Sequence, residues 1–433
     1  MVIGVYSKNR GCQKEIKSIK KSRHVSKTKY ALFGLVTASC LGETFNLFGI
    51  KLSWVLAILT MVLFFLEYLN NKIRIPTYDI KKYVSFFTLW FIYATLQMLF
   101  ILQNDYAISS YFSLVVNVFI VIMLALNLHS IDDLIFINRG LILGLIINLL
   151  IAFWEIATGN HIVPLSDIDQ LYYRNKPVSV FVNGNDLATF ICCGIVSVIL
   201  NYALTKKNWI ITLAIIIASV FVLIQIDARA PIYGMVLYCM SFTLIYILLV
   251  INKNSEYFFT IISIMLTFIG LIASLLVLYN YSLTELVSMI SSPGNEKSDL
   301  LRLSLTKEAI QAFFNSAFLG IGPGQSINLL GINVHNFFLE IMSEFGVIII
   351  SGIILIFIYL FKAYKWKLPS LLTLCIMSFP PAFVLIGISS SSANRIRATW
   401  ILITLLYITI SLYKKEQSKK LAGSESDIKE VSS

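Results

Sequence analysis

The chain has 433 residues, of which 58% are hydrophobic and 13% are charged, and its mean hydropathy is +0.81. Soluble domains carry about a quarter charged residues, so this composition excludes a soluble globular protein and indicates a polytopic membrane protein. The formal net charge of +11 does not indicate nucleic-acid binding. In a membrane protein the positions of Lys and Arg carry more information than their sum.

Apolar runs of a length that crosses a bilayer recur along the chain and predict an all-α fold with about twelve transmembrane helices. The predicted spans are 30–48, 52–70, 83–103, 108–128, 134–157, 185–204, 208–226, 231–251, 257–280, 335–361, 369–387 and 397–413. They define an integral membrane domain at 30–413, between a basic tail at 1–29 and a polar tail at 414–433. No small-residue cleavage site follows the first run, so that run is predicted to be a retained span.

Basic residues are concentrated in both tails and in every second predicted loop. Because such loops stay in the cytoplasm, the pattern predicts a multi-pass plasma-membrane protein with both termini cytoplasmic. Two long loops, at about 158–184 and 281–334, then lie on the outer face, and loops of this length in compact proteins are usually functional. Within the second loop, residues 300–318 have the spacing of an amphipathic helix on the membrane surface.

The stretch 320–346 reads GIGPGQSINLLGINVHNFFLEIMSEFG, in which a glycine-rich turn precedes His335 at the start of an apolar run. Glycine lets the backbone approach a ligand closely, and a helix start keeps an imidazole neutral. His335 is therefore a candidate general base, and the alternative is that it is only a helix cap at the membrane interface. Glu340 and Glu344 follow Asn336 at four-residue steps on one helical face. They could tune the site, or they could be solvated or paired, and they are not included among the predicted catalytic residues.

Two further elements lie on the same predicted face. The segment 181–190, FVNGNDLATF, places Asn183, Asn185 and Asp186 at the start of the sixth span, where they also suit a helix N-cap. The segment 227–234, DARAPIYG, holds Arg229 in a very short turn, in which Asp227 could simply pair with the arginine.

The arginines of the predicted outer face oppose the usual orientation rule and therefore invite an explanation. A guanidinium group binds phosphate in a bidentate way and stays charged at any working pH. Arg229 and Arg302, at the head of the amphipathic helix, are the leading candidates, with Arg174, Arg395 and Arg397 as additional phosphate contacts. The alternative is that these side chains reach lipid headgroups or pair with acidic residues.

The turn from Gly320 to Gly324, followed by His335-Asn336 and then Gly346, resembles the signature of the O-antigen ligase and O-antigen polymerase superfamily. These are bacterial membrane glycosyltransferases that act on undecaprenyl-diphosphate-linked glycans. The resemblance covers about 180–346, and the twelve-span layout extends it over most of the chain.

Two other motifs carry the same resemblance with one departure each. The segment 181–190 resembles the family's Asn-Asp-Leu-Ala element, with Gly184 where the family more often has Pro. The turn at Arg229 resembles a short outer turn that contains Ser-Arg, with Ala228 in place of Ser. Arg302 matches the family's loop arginine.

The resemblance implies an inverting, metal-independent transfer of a glycan from undecaprenyl diphosphate to a sugar hydroxyl, with no cofactor. The implied catalytic residues are His335 as base and Arg229 and Arg302, which stabilise charge on the leaving diphosphate. Removing one such group typically costs about 2.7–4 kcal/mol of barrier. The partners are the lipid-linked oligosaccharide and the bilayer, together with a flippase and a chain-length regulator, and not nucleic acid. The predicted substrate-binding residues are Asn185, Asp186, Gly322, Gly324, Asn336, Arg174 and Arg395.

A polymerase that builds capsule, O-antigen, teichuronic acid or a similar surface glycan is favoured over a ligase, because nothing in the sequence indicates a lipid A-core acceptor. A twelve-helix transporter or flippase is the alternative from another class. It predicts ionisable residues deep within the spans. Glu43 in the first span is its main candidate, while Glu67 and Glu155 lie nearer span ends.

Overall fold

The computed structural model describes residues 26–42, 46–47, 50–70, 78–101, 104–165, 176–251, 297–331, 334, 336–366, 368–388 and 392–431. The helices in this part of the chain are α1 (Lys27–Ser39), α2 (Leu52–Leu69), α3 (Tyr78–Met98), α4 (Asp105–Asn127), α5 (Ile131–Thr158), α6 (Gly184–Thr205), α7 (Trp209–Ile226), α8 (Arg229–Ile251), α9 (Lys297–Asn315), α10 (Gln325–Leu330), α11 (Phe337–Phe361), α12 (Ser370–Ile388) and α13 (Arg397–Val431). A 3-10 helix (Lys362–Trp366) follows α11. The all-α prediction is confirmed apart from one hairpin, in which β1 (Asn46–Leu47) pairs antiparallel with β2 (Ile50–Lys51).

Eight helices in the described ranges are long and apolar enough to cross a membrane: α2, α4, α5, α6, α7, α8, α11 and α12. The prediction of a polytopic membrane protein is confirmed, whereas the number twelve is not established. The predicted ninth span, 257–280, lies outside the described residues.

Three predicted spans correspond to helices that are not among these eight. The first, predicted at 30–48, is the 13-residue helix α1, which is about 20 Å long and shorter than the roughly 30 Å hydrocarbon core. α1 ends at Ser39, and the chain turns shortly afterwards at Gly42, where φ is +67°. α3 carries Asp79 and Lys81 in its first turn, and α13 continues to Val431 through the segment predicted to be a polar tail.

Ion pairs join several helices at one end of the bundle. Lys29 Nζ at the start of α1 lies 2.6 Å from Asp133 Oδ1 at the start of α5. Lys414 Nζ on α13 lies 2.7 Å from Asp79 Oδ2 at the start of α3. All four residues belong to segments predicted to be cytoplasmic. The structure brings these segments together at one end of the bundle, as the predicted alternation of loops requires. Which side of the membrane this end faces remains a prediction.

An aromatic cluster in the core fixes the start of α11. Trp90 of α3 and Trp400 of α13 lie 5.2 Å apart between ring centroids. Phe337 packs on Trp400 at 5.2 Å and on Phe383 of α12 at 5.1 Å, and Phe345 packs on Trp90 at 5.3 Å. Each aromatic pair contributes about 0.5–1.5 kcal/mol beyond its buried area. The first turns of α11 are therefore held by three other helices.

Several polar side chains within the apolar helices are hydrogen-bonded to neighbouring segments. Asn138 Nδ2 donates to the Ser197 carbonyl at 2.9 Å, and Ser197 Oγ donates to Asn138 Oδ1 at 2.7 Å, which joins α5 to α6. Near the other end of α5, buried Glu155 accepts the backbone N–H groups of Val178 at 2.8 Å and Ser179 at 2.7 Å. These bonds satisfy groups that water does not reach in a bilayer.

Candidate functional site

The segments that the sequence singled out meet at the end of the bundle opposite the ion pairs. Gln97, at the end of α3, donates to the carbonyl oxygens of Gly320 at 3.4 Å and Glu344 at 3.0 Å. A Cβ added at Gly234, near the start of α8, would lie 2.5 Å from Ile386 at the end of α12. α6, α8, α11 and α13 begin at this end. Because helix N-termini carry partial positive charge, this end of the bundle favours anions.

The glycine-rich turn packs against a break in α11. Gly346 has φ 72° and ψ −167°, so the helix is interrupted there. The interruption removes the helical partners of nearby carbonyl groups. The carbonyl of Ser343 instead accepts the N–H of Ile321 at 2.8 Å, and the carbonyl of Glu344 accepts the N–H of Gly322 at 2.9 Å. The turn thus donates hydrogen bonds to backbone carbonyl groups that the break in the membrane helix leaves without helical partners.

Two glycines permit this close packing. Gly320 has φ +84°, and a Cβ there would lie 2.5 Å from the Glu344 carbonyl oxygen. A Cβ at Gly346 would lie 2.4 Å from the carbonyl oxygen of Phe318, which accepts the N–H of Val347 at 2.9 Å. The sequence predicted that this turn brings backbone close to a ligand. The close approach in the structure is to the backbone of α11.

The other two glycines of the turn lie against the connection between α3 and α4 and against the first turn of α4. A Cβ at Gly322 would lie 2.7 Å from Ile101 Cγ2, and one at Gly324 would lie 2.6 Å from the Tyr106 carbonyl oxygen. Their predicted role in substrate binding stays a prediction, because packing already explains why both positions are glycine.

Asn336 is the N-cap of α11. Its side-chain oxygen accepts the N–H groups of Phe338 at 3.0 Å and Leu339 at 3.1 Å. The predicted span began at 335, whereas α11 begins at Phe337, and the capping side chain is Asn336. His335 lies outside the described residues, so its role as a base stays a prediction.

Glu340 is buried and links α11 to the turn before α13. Its Oε1 accepts the hydroxyl of Ser392 at 2.7 Å, and its Oε2 accepts the N–H of Ala393 at 2.7 Å. Arg395 and Asp186 are close enough to interact electrostatically with this carboxyl group. The structure therefore brings the predicted binding residues Asp186 and Arg395 to one place, around an acidic residue that the sequence analysis left out.

The turn at 392–396 is held from several sides. The Asn394 carbonyl accepts from Asn117 Nδ2 at 2.8 Å, and the Ala393 carbonyl accepts from Trp400 Nε1 at 2.8 Å. The Asn394 side chain is 1% exposed, and its carboxamide has no hydrogen-bond partner within the described residues. Buried polar groups are normally hydrogen-bonded, so the carboxamide of Asn394 retains its capacity for further hydrogen bonds.

Two neighbouring arginines of this region differ in their surroundings. The side chain of Arg395 is exposed. Arg397 is 1% exposed, and its Nη1 donates to Ser53 Oγ at 2.8 Å, which ties α13 to α2. Only Arg395 of the pair presents its side chain at the surface, and the predicted phosphate contacts of both arginines stay predictions.

The N-cap interpretation of the start of α6 holds for Asn183 and not for Asp186, which lies in the first turn. Asn183 is the cap, and its side-chain oxygen accepts the N–H of Asn185 at 2.8 Å. Asp186, in the first turn, is buried and faces the Glu340 region, whereas the side chain of Asn185 is half-buried. Asp186 therefore lies at the site, and the binding roles of Asn185 and Asp186 stay predictions.

Of the three remaining predicted arginines, the structure describes the side chain of Arg229 alone. Arg229 is the first residue of α8, and its side chain is exposed. Asp227, which could have paired with it, pairs with Lys176 at 3.1 Å. Arg302 lies within α9, and its side chain is not described. Arg174 lies outside the described residues.

A cleft of about 200 Å³ lies between α9, α10 and α11. Its lining includes Glu308, Gln311 and Asn315 of α9, with Ser326 and Ser343 at its base. Beneath it, Glu344 is 1% exposed, and its Oε1 accepts the hydroxyl of Ser326 at 2.5 Å.

The sequence contained a signal for both buried acids. Glu340 and Glu344 lie on one face of an apolar run, where an ionisable residue is costly and usually functional. Their four-residue spacing predicted a shared face. It could not predict burial, because burial depends on the turns at 320–326 and 392–394 that cover them.

No protein-family model matches this chain. The chain is similar to the teichuronic acid biosynthesis protein TuaE of Bacillus subtilis (strain 168). The two are 22% identical over 363 residues, which is 78% of this chain and 73% of TuaE.

Proposed function

We propose that this chain is a membrane glycosyltransferase that polymerises a bacterial surface polysaccharide. It moves a glycan from undecaprenyl diphosphate to a sugar hydroxyl on the outer face of the plasma membrane. The observation that carries the proposal is the similarity, over 78% of the chain, to a protein named for teichuronic acid biosynthesis. The polytopic helical fold supports it, because a donor with a polyprenyl anchor has to be bound within the bilayer.

The end of the bundle around Glu340 suits the diphosphate of such a donor. Helix starts there provide a positive potential, and Arg229 and Arg395 present exposed guanidinium groups. Both oxygens of Glu340 accept hydrogen bonds from the 392–393 turn, so this residue positions Arg395. Arg302 on α9 supplies a third cation in the proposal.

The proposed step is a single displacement with inversion. The acceptor hydroxyl oxygen attacks the anomeric carbon of the donor sugar while the bond from that carbon to the diphosphate oxygen breaks. The electron pair goes to the diphosphate, whose growing charge the arginines stabilise. The hydroxyl proton goes to His335. No metal ion takes part in this step.

A transporter is the second candidate, because a broken helix beside buried acids is typical of transporter sites. In this chain Gly346 interrupts α11 next to Glu344. However, Glu340 and Glu344 lie near the start of α11 rather than at its middle, where transporter sites lie. Glu155 is held by the backbone of the 176–183 segment, and Glu43 lies outside the described residues. Glycosyl transfer remains the function that the site supports best.

The test uses purified protein and the lipid-linked repeat that accumulates in a strain lacking this gene. We expect a ladder of polymer on a gel, which Arg229→Ala and Arg302→Ala abolish or strongly reduce without loss of folded protein. Arg→Lys should restore only part of the activity, since Lys keeps the charge and not the bidentate fork. Arg139→Ala is the control, because Arg139 is an exposed arginine on α5 near the opposite end.

Three outcomes would change the proposal. A normal ladder from Arg302→Ala would make that arginine a surface anchor. Addition of one glycan to a different acceptor, without a ladder, would favour the ligase alternative. Movement of intact lipid-linked repeat across proteoliposomes, without bond transfer, would favour the transporter.

A further inference from the structure

The base of the cleft between α9, α10 and α11 presents hydrogen-bond acceptors. Ser326 Oγ donates its proton to Glu344 Oε1 at 2.5 Å, and Ser343 Oγ donates its proton to the Glu340 carbonyl at 3.1 Å. A hydroxyl group has one proton and two acceptor sites. Both serines have therefore committed their protons to the protein, and what they offer to a ligand is a lone pair.

The charge of the cleft points in the same direction. Glu308 is an exposed acid on its wall. Acceptors and negative charge disfavour a phosphate group and favour a ligand that donates hydrogen bonds. Gln311 and Asn315, whose amides both donate and accept, complete the polar wall. The cleft is thus chemically unlike the arginine-bearing region around Glu340.

The size of the cleft fits part of a ligand. Its volume of about 200 Å³ is below the roughly 300–1,000 Å³ of sites that enclose a drug-sized molecule. Ala309 and Ala312 form an apolar strip between its polar groups. A single sugar ring, with hydroxyl groups around an apolar face, matches this lining.

We infer that this cleft is the subsite for the acceptor sugar, which it binds through that sugar's hydroxyl groups. The inference rests on the proposed function, because only a transferase has separate donor and acceptor sugars. α11 contributes residues to both regions. Its Glu340 holds the turn of Arg395, and Glu344, one helical turn further on, holds Ser326 at the cleft. Donor diphosphate and acceptor sugar would then bind beside the same two turns of one helix.

Site-specific labelling tests binding without requiring activity. In the full-length protein carrying Gln311→Cys, maleimide labelling of position 311 is followed by mass spectrometry. The probe is the lipid-free oligosaccharide released by mild acid from the accumulated lipid-linked repeat. We expect the oligosaccharide to slow labelling at position 311 and inorganic pyrophosphate to leave it unchanged. Unchanged labelling with oligosaccharide, or protection by pyrophosphate, would overturn the inference.

Variants sharpen the test. Ser326→Ala removes one acceptor. It should raise the oligosaccharide concentration needed for half-maximal protection about threefold to tenfold, since one hydrogen bond contributes a net of about 0.5–1.5 kcal/mol. Ala312→Phe should fill the cleft and abolish protection. Ile310→Phe is the matched control, because Ile310 is a partly exposed neighbour on α9 outside the cleft lining, and it should keep protection.

The polymerisation assay separates this inference from the function itself. If the oligosaccharide protects position 311 but the protein makes no polymer, the cleft binds sugar and the proposed glycosyl transfer is wrong. If Ala312→Phe forms polymer with the same dependence on oligosaccharide concentration as the wild-type protein, the proposed function stands but the cleft is not the acceptor site. Loss of acceptor-dependent extension in Ala312→Phe, with normal extension in Ile310→Phe, supports both.

Discussion

At the scale of single residues, two buried carboxyl groups one helical turn apart have different partners. Glu340 accepts hydrogen bonds from the turn that carries Arg395, whereas Glu344 accepts one from Ser326 at the cleft. The two acids lie on one face of α11 and hold two different segments of the chain against it. This division allows the donor and acceptor halves of the proposed reaction to be perturbed separately.

We expect Glu340→Gln to raise the KM for the lipid-linked donor more than that for the oligosaccharide acceptor, because it disturbs the turn of Arg395. Glu344→Gln is the matched variant of the same helix, and it should act mainly on the acceptor. Steady-state kinetics with each substrate varied in turn measure both effects. Equal changes in both KM values for both variants would mean that the acids only maintain the fold.

His335 carries the proposed proton transfer. A general base contributes about 10²–10⁴-fold in rate, so His335→Ala should lose most activity in the polymerisation assay. His335→Gln should not restore it, because an amide cannot accept the proton. His161→Ala is the control and should be near neutral, since the Nδ1 of His161 lies 3.3 Å from Glu155 Oε1 and no part of the proposed reaction is assigned to it.

Two results would refute this mechanism. Full activity in His335→Gln would make the histidine a positioning group. Inhibition of the wild-type protein by a chelator would contradict the metal-independent step.

At the scale of elements, the interrupted helix and the glycine-rich turn form one unit. Gly346→Ala introduces a Cβ 2.4 Å from the Phe318 carbonyl oxygen at φ +72°. Gly331 is a matched control, because its φ is +73° and an added Cβ there meets nothing within 4 Å. The left-handed conformation alone costs about 1–2 kcal/mol for a residue with a Cβ. Gly346→Ala should therefore lower the thermal unfolding temperature of the purified protein clearly more than Gly331→Ala. Equal shifts would show that the structure accommodates the added Cβ beside the Phe318 carbonyl oxygen at little cost.

At the scale of the whole molecule, orientation decides whether the proposed chemistry is accessible to its substrate. Reporter tags at the N-terminus, in 362–368 and at the C-terminus should report the cytoplasm, and tags in 158–184 and 285–330 should report the outside. The prediction rests on the distribution of Lys and Arg. A cytoplasmic 281–334 loop would exclude the glycosyl transfer, because the donor would then be presented on the other leaflet.

The sequence by itself determined the class of the protein and the position of most of its membrane helices. Long apolar runs leave few alternatives to helices, because the backbone groups of a membrane span must be satisfied within the span. α4 to α8, α11 and α12 accordingly lie within a few residues of their predicted bounds. Local composition also identified the glycine-rich turn, although not its partner.

Only the tertiary structure decided how the candidate site is assembled. It showed that the turn satisfies the break at Gly346, that Glu340 and Glu344 are buried, and that Arg395 is exposed while Arg397 is enclosed. Each of these depends on contacts between residues far apart in sequence, such as Asn117 with Asn394. Hydrophobic periodicity reports which face of a helix is apolar. It does not report which distant turn covers the polar groups on that face, since many pairings satisfy the same pattern.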